Sequence, residues 1–145
     1  MEKQHALQQL EQLQKKLYAI HYACSAMNLD ADTVAPKNTS EGRGVALGVL
    51  AGEEQQLMIC PETRALLDEL DCQKDELDLL PRREVEELRR RCDQLTRIPA
   101  EEYIAYSELV NKAGDVWHKA KEKDDFAMFC PLLQELVEYN RKFAA

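Results

Sequence analysis

Apolar residues recur every three or four positions along most of this chain, which is the spacing of one face of an α-helix. The first such run predicts a helix from about Glu2 to Met27, with glutamine and lysine on its other face. About 25 residues at ~1.5 Å each would make it roughly 37 Å long. Its apolar stripe consists of Leu7, Leu10, Leu13, Leu17, Ile20, Cys24 and Met27.

Five more helices follow from the same spacing, together with capping residues and prolines at helix starts. The second begins at Thr39 or Ser40, either of which can cap it through a hydroxyl, and ends at Cys60-Pro61. The others span about Pro61 to Asp71, Pro81 to Thr96 and Ile98-Pro99 to Lys121, and a last helix, with Pro131 in its first turn, follows a break and N-cap at Lys123-Asp124-Asp125. No period-two strand pattern is present. The sequence therefore predicts an all-α fold of about six helices stacked as antiparallel hairpins.

The stretch from Met27 to Leu50 breaks this pattern. We expect an irregular loop of roughly a dozen residues there, longer than the ~2–8 residues usual between helices of a bundle. Such a loop usually has a function. Its distinctive residues are Asp30, Asp32, Thr33, Pro36 and Arg43.

A structural role for these residues is the simplest interpretation. We expect Asp30 to accept hydrogen bonds from loop amides or from Arg43, which would fix the loop. Asp30 and Asp32 are two carboxylates without further oxygen ligands, which is weak support for a calcium or magnesium site.

Four glycines, Gly42, Gly44, Gly48 and Gly52, lie in the second predicted helix. Each costs roughly 1 kcal/mol relative to alanine in a helix. Their spacing indicates either close approach of this helix to another element or a weak, mobile helix.

Composition narrows the class of protein. A length of 145 residues predicts a single helical domain, and the net charge of −8 argues against binding to nucleic acid or to an anionic membrane surface. There is no apolar run long enough for a membrane span and no signal-like N-terminus. The five cysteines are odd in number and form no Cys-x-x-Cys pair. Together these features predict a cytoplasmic protein with reduced thiols.

Catalytic and metal-binding motifs are missing from the sequence. His5, His21 and His118 are far apart, and none forms the His-Glu-x-x-His pair that grips zinc from one helical face. We read His21 and His118 as packing or surface residues, and the arginine run 89–91 as a solvated face. The sequence therefore predicts no catalytic, cofactor-binding or metal-binding residue.

Two motifs nevertheless carry a family resemblance. The first runs from Leu29 to Arg43 and reads Leu-Asp-x-Asp-Thr-x-x-Pro-x6-Arg. The second runs from Trp117 to Leu133, includes Asp125 and Phe126, and reads Trp-x-x-Ala-Lys-x-x-x-Asp-Phe-x-x-Phe-x-Pro-x-Leu. In order and spacing, the chain resembles the N-terminal part of the Taq-type thermostable metallocarboxypeptidases. It departs from them at Leu29, where the family usually has an aromatic residue, and at Asp32, which replaces a glutamate.

The resemblance implies a helical region that roofs the substrate cleft, without the His-Glu-x-x-His zinc site that follows in the family. The first hypothesis is therefore a non-catalytic N-terminal domain of a zinc carboxypeptidase, with no cofactor in this chain and zinc in the full-length family. The second is a stand-alone helical interaction module that forms a homodimer or binds a catalytic domain through an apolar face. Trp117, Tyr103 and Tyr106 are the candidates for that face, although core packing is the alternative for each.

Overall fold

Six α-helices and one short 3₁₀ turn make up the secondary structure of a computed structural model, which describes residues 3–145. The helices are α1 (Lys3–Thr33), α2 (Ser40–Ile59), α3 (Pro61–Cys72), α4 (Leu79–Thr96), α5 (Ala100–Glu122) and α6 (Phe126–Ala144), and the 3₁₀ turn is Lys74–Glu76. No strand occurs between residues 3 and 145, and the all-α prediction is confirmed. The antiparallel stacking of the helices stays a prediction.

The first helix is longer than predicted, and the loop after it is shorter. The predicted start at Glu2 lies outside the described residues, but the predicted end at Met27 is wrong because α1 continues to Thr33. The Thr33 hydroxyl donates to the Leu29 carbonyl (2.6 Å), and the N–H groups of Val34 and Ala35 both donate to the Asp30 carbonyl. These bonds keep the polar segment helical until Pro36, which disfavours helical backbone at Ala35. Only residues 34–39 connect α1 to α2, so the expected long irregular loop is wrong.

The last helix begins at Phe126, so the prediction that Pro131 lies in its first turn is wrong. The Asp125 side chain accepts a hydrogen bond from the Met128 N–H (3.3 Å) and caps α6, as the predicted N-cap implies. Pro131 therefore lies inside the helix rather than in its first turn. A proline at this position removes one backbone hydrogen bond of the second turn.

The chain divides into two compact units, and both α1 and α2 contribute residues to each. The first unit contains residues up to Ala23 and Glu53–Arg97, and the second contains Cys24–Gly52 and Ile98–Ala145. The single domain expected from the chain length stays a prediction.

The first unit has an aliphatic core in which α3 packs against α4. Its buried cluster comes from the start of α1, from α3, from the turn after it and from α4, and consists of Ala6, Leu10, Leu66, Leu70, Leu77 and Val85. Met58 of α2 and Leu67 are also fully buried in this unit. The i, i+3, i+4 spacing of leucines in the sequence thus marks the core correctly.

In the second unit, α5 packs against α6 through small residues and aromatic rings. Ala113, Ala120 and Leu132 are buried. The Tyr106 ring lies 5.7 Å from the Tyr139 ring and 5.4 Å from the Phe143 ring, measured between centroids. Such tilted and edge-to-face contacts stabilise aromatic clusters. No helix within residues 3–145 is long and apolar enough to cross a membrane.

Candidate functional site

Arg43, in the first turn of α2, is the centre of a polar cluster in the second unit. Its Nε donates to Asn111 Oδ1 (2.9 Å), and its Nη2 donates to Asp115 Oδ1 (3.0 Å). Asn111 and Asp115 are four residues apart on α5, so both side chains project from one face of that helix. Only 10 % of the Arg43 side chain is exposed. The guanidinium is therefore held by partners within this chain.

The Asn111 amide completes the cluster by tying α5 to the start of α2. Its Nδ2 donates to the Ser40 carbonyl (2.9 Å) and to Ser40 Oγ (3.3 Å). The Thr39 hydroxyl donates to the Pro36 carbonyl (2.8 Å) and so fixes the turn before α2. The entry into α2 is thus fixed by Asn111 and by the local turn at Pro36.

Close approach explains three of the four glycines. A Cβ atom built on Gly44 would lie 3.0 Å from Asn111 Nδ2, and one on Gly48 would lie 2.9 Å from Glu108 Oε1. A Cβ on Gly52 would lie 3.0 Å from the Cδ1 of Ile104. These glycines recur every four residues and face side chains of α5, whereas Gly42 has open space around it. Of the two sequence interpretations, close approach to another helix is the one that the structure shows.

Asp30 accepts hydrogen bonds from loop amides, as predicted, but through its backbone, and the predicted pairing with Arg43 is wrong. The loop amides of Val34 and Ala35 donate to its backbone carbonyl rather than to its carboxylate, and Arg43 binds α5 instead. Asp32 does reach another helix, because His118 Nε2 lies 3.2 Å from its Oδ1. Both partners of that pair are exposed, which limits its stabilising effect to ~1 kcal/mol at most.

Residues of the second motif lie in two places: Trp117 is on α5, and Asp125 and Phe126 are at the start of α6. Trp117 is 43 % exposed, its ring centroid is 4.9 Å from that of His118, and the Lys121 ammonium lies 4.9 Å above it. Asp125 caps α6, and Phe126 beside it is 65 % exposed. Of the three aromatic residues predicted to form an apolar face, Tyr106 packs against α6 and Trp117 is half exposed.

A second polar cluster, in the first unit, centres on the buried carboxylate of Glu54. His21 Nε2 lies 2.8 Å from Glu54 Oε1, and the Arg91 guanidinium donates to the same oxygen. Because a carboxylate only accepts hydrogen bonds, Nε2 must be the protonated nitrogen of His21. Arg91 therefore balances a buried charge, which corrects its interpretation as part of a wholly solvated arginine run. Arg90 does lie on the surface, paired with Glu87.

Sequence reasoning missed Asn111, Asp115, Glu54 and the role of Arg91. Asn111 and Asp115 had a visible signal, since they are polar residues at i, i+4 spacing away from the aromatic stripe of α5. Glu54 had none, because it lies in an acidic pair, Glu53-Glu54, of which only the second residue is buried.

Neither cluster has the composition of a metal centre. Within residues 3–145, no group of three or more His, Cys, Asp or Glu side chains is placed to hold a metal ion. A zinc site takes three or four such ligands. Both clusters are instead charge networks in which each ionic group has a partner on another helix.

Within residues 3–145 the structure is thus an all-α fold with two charge networks that join its helices. The sequence model of the family Carboxypeptidase Taq (M32) metallopeptidase matches residues 9–145, so the chain belongs to that family. The resemblance inferred from the two motifs is confirmed.

Relatives and solved structures agree with this membership. The chain is 34 % identical over 125 residues to Carboxypeptidase 1 of Bacillus subtilis, which covers 85 % of this chain and 25 % of that protein. It is 28 % identical over 130 residues to Thermostable carboxypeptidase 1 of Pyrococcus furiosus, which covers 90 % of this chain and 26 % of that protein. The crystal structure of BsuCP superposes with a TM-score of 0.90 at 31 % identity, over 96 % of this chain and 28 % of that one. The chain thus spans about a quarter of the length of the relatives it matches.

Proposed function

We propose that this chain supplies the non-catalytic N-terminal helical part of a zinc-dependent metallocarboxypeptidase and contributes the roof of its substrate cleft. The observation that carries the proposal is that residues 9–145 match the M32 family while the sequence contains no His-Glu-x-x-His. Two imidazoles and a glutamate on one helical face are what such an enzyme needs to hold zinc and activate water.

The zinc ion that the family implies does not fit the residues of this chain. His21 is engaged with Glu54 and His118 with Asp32, and neither pair belongs to a larger group of metal ligands within residues 3–145. In the proposal, the metal and the groups that act on the scissile bond belong to other residues of a longer enzyme. Arg43 and Asn111 then serve to hold helices of the roof in place.

The first test is activity of the chain alone. Purified protein, supplied with Zn²⁺ and peptides of several lengths, is assayed by mass spectrometry for release of C-terminal amino acids. Full-length Carboxypeptidase 1 of Bacillus subtilis is the positive control. We expect no metal-dependent release from this chain. Release that a chelator abolishes and Zn²⁺ restores would overturn the proposal.

The second test is a chimera in which this chain replaces the matching part of Carboxypeptidase 1 of Bacillus subtilis. If the chain is a functional N-terminal part, the chimera binds zinc and releases C-terminal amino acids. A folded, zinc-loaded chimera that does not cleave peptides would contradict the proposed role in the cleft.

A stand-alone interaction module is the second candidate function, and the exposed rings of Trp117 and Phe126 favour it. In that case the chain alone would self-associate or hold a partner. Sedimentation over a wide concentration range tests the homodimer, since a strict monomer at all concentrations contradicts it.

We also propose that the chain works in the cytoplasm, a location supported by its five free thiols.

A further inference from the structure

One buried carboxylate oxygen joins three helices of the first unit. Glu54 Oε1, on α2, accepts hydrogen bonds from His21 Nε2 on α1 (2.8 Å) and from Arg91 Nη2 on α4. The carboxylate itself is enclosed, but 46 % of the His21 side chain and 33 % of the Arg91 side chain are exposed. The negative charge therefore stays in place, while both of its donors are accessible to water.

The two donors lie close to each other. Arg91 Nη2 is 3.4 Å from His21 Nε2. Both nitrogens direct a hydrogen at the same Glu54 oxygen, so the approach between them is one of two donors and not a hydrogen bond. While His21 is neutral, Glu54 and Arg91 form one balanced ion pair. Once His21 is protonated, two cations share one carboxylate oxygen at a separation where like charges repel.

Histidine is the side-chain type in this cluster that normally changes its charge between pH 5 and pH 8. The titratable side chains one turn from His21 on α1 are Tyr18 and Cys24, and α2 adds the exposed Glu53 beside Glu54. A proton taken from water adds to His21 at Nδ1, because Nε2 already carries one. That proton gives a positive charge to a cluster that is balanced without it.

Arg91 has a second acid within reach. Glu87 lies four residues before it on α4, which is the spacing and order at which an acid and a base stabilise a helix. The pKa of the Glu87 carboxyl is lowered first by a hydrogen bond from Arg90 and also by the charge of Arg91. Because Glu87 is exposed, a guanidinium that turns towards it also returns to water.

We propose that His21 and Arg91 exchange with pH as the counter-ion of Glu54. Near pH 8, His21 only donates a hydrogen bond, and Arg91 balances the buried charge and ties α4 to α2. Near pH 5.5, the His21 imidazolium balances that charge and ties α1 to α2, and Arg91 is released to water and to Glu87. The folded chain thus contains a proton-driven switch that determines which helix is ion-paired to the buried carboxylate, independent of any peptidase activity.

Nitrogen NMR of the histidine rings between about pH 8 and about pH 5.5 provides the first test. If Arg91 competes with the His21 imidazolium for Glu54, Arg91→Gln should let His21 take up its proton at a higher pH. We expect the midpoint of its titration to rise by about one pH unit, a tenfold change in the protonation equilibrium. His5, exposed on the same helix and outside the cluster, is the control in the same spectra. Arg90→Gln removes the same charge from the adjacent exposed position and should move the His21 titration little.

Urea unfolding measures the same exchange from the side of the arginine. At about pH 8 we expect Arg91→Gln to lower the folded-to-unfolded ratio about tenfold relative to Arg90→Gln, and at about pH 5.5 hardly at all. In a His21→Gln background, the glutamine amide can still donate to Glu54 but carries no charge. The tenfold loss should then persist at both pH values.

Two results would overturn the exchange of counter-ions. One is a His21 titration that Arg91→Gln leaves in place, or moves no further than Arg90→Gln does. The other is an Arg91→Gln loss that is equal at both pH values while His21 is present, or a pH dependence of that loss that survives in His21→Gln.

Discussion

Arg43 and Asp115 are 72 positions apart in the sequence, yet Nη2 of the first lies 3.0 Å from Oδ1 of the second. The Arg43 side chain is almost fully enclosed, whereas Asp115 is about one-third exposed. A guanidinium in such a position is stabilised by its acceptors more than a surface cation would be. The pair links the start of α2 to α5 within the second unit.

We expect Arg43→Ala to lower the free energy of unfolding by about 1–3 kcal/mol, because Asn111 and Asp115 lose a charged donor. Thermal melting followed by circular dichroism measures the loss. Lys112→Ala is the matched control, since it removes an exposed cation from α5 next to Asn111 and should be nearly neutral. An Arg43→Ala melt that coincides with the control would show that the cluster does not stabilise the fold.

A structural role for Arg43 could be predicted from the sequence, but the partners of its side chain could not. A lone arginine in an irregular stretch indicates a paired cation, and Asp30, in the same stretch, was the predicted partner. The actual partners lie on a distant helix, and a single sequence contains no information on which distant helix faces which. The spacing of Gly44, Gly48 and Gly52 did show that some helix approaches closely, without identifying α5.

The helices themselves follow from apolar spacing, because burial of one stripe requires a 3.6-residue period. The end of α1 does not follow, since Asp30, Asp32 and Thr33 are weak helix formers by intrinsic propensity. In the structure, Thr33 bonds back to the Leu29 carbonyl and Asp32 reaches His118. Local and tertiary hydrogen bonds thus outweigh propensity over one and a half turns.

Alanine substitutions at two neighbouring glycines should have opposite effects. Gly42→Ala gains helix propensity in open space and should raise the free energy of unfolding by up to about 1 kcal/mol. Gly44→Ala places a methyl group 3.0 Å from Asn111 Nδ2, so this amide must shift by a few tenths of an ångström, which weakens its hydrogen bonds to Ser40. We expect Gly44→Ala to be less stable than Gly42→Ala by about 1–3 kcal/mol in urea unfolding. Equal stability of the two variants would contradict the close approach of α2 to α5.

The Glu11 carboxyl, which pairs with Lys15 on the surface of α1, should titrate at a lower pH than an unpaired glutamate. The hydrogen bond from the Lys15 ammonium (2.7 Å), together with its charge, lowers the pKa of the Glu11 carboxyl below its ordinary value. A carboxyl whose pKa is lower in the folded state stabilises the fold at any pH above its ordinary pKa. That contribution is lost as the pH falls through the lower pKa of the folded state.

Carboxyl-carbon NMR should therefore show Glu11 titrating at lower pH in the unsubstituted chain than in Lys15→Gln. Lys16→Gln, one position further along α1, is the control and should leave the Glu11 titration in place. Identical Glu11 titrations in the unsubstituted chain and in Lys15→Gln would show that the ion pair is not formed in solution.

Glu53 and Glu54 are adjacent but differ in burial: Glu53 is exposed, whereas only 9 % of the Glu54 side chain is exposed. Glu54→Ala deprives both His21 and Arg91 of their acceptor and leaves a cavity against α1 and α4. Arg91 is one-third exposed and can turn to water, so the expected loss is about 1–3 kcal/mol, below the value for a fully buried pair. Glu53→Ala should change the urea midpoint little, because Glu53 is exposed and takes no part in the cluster. If both alanine variants unfold at the same urea concentration, the Glu54 cluster is not part of the folded first unit.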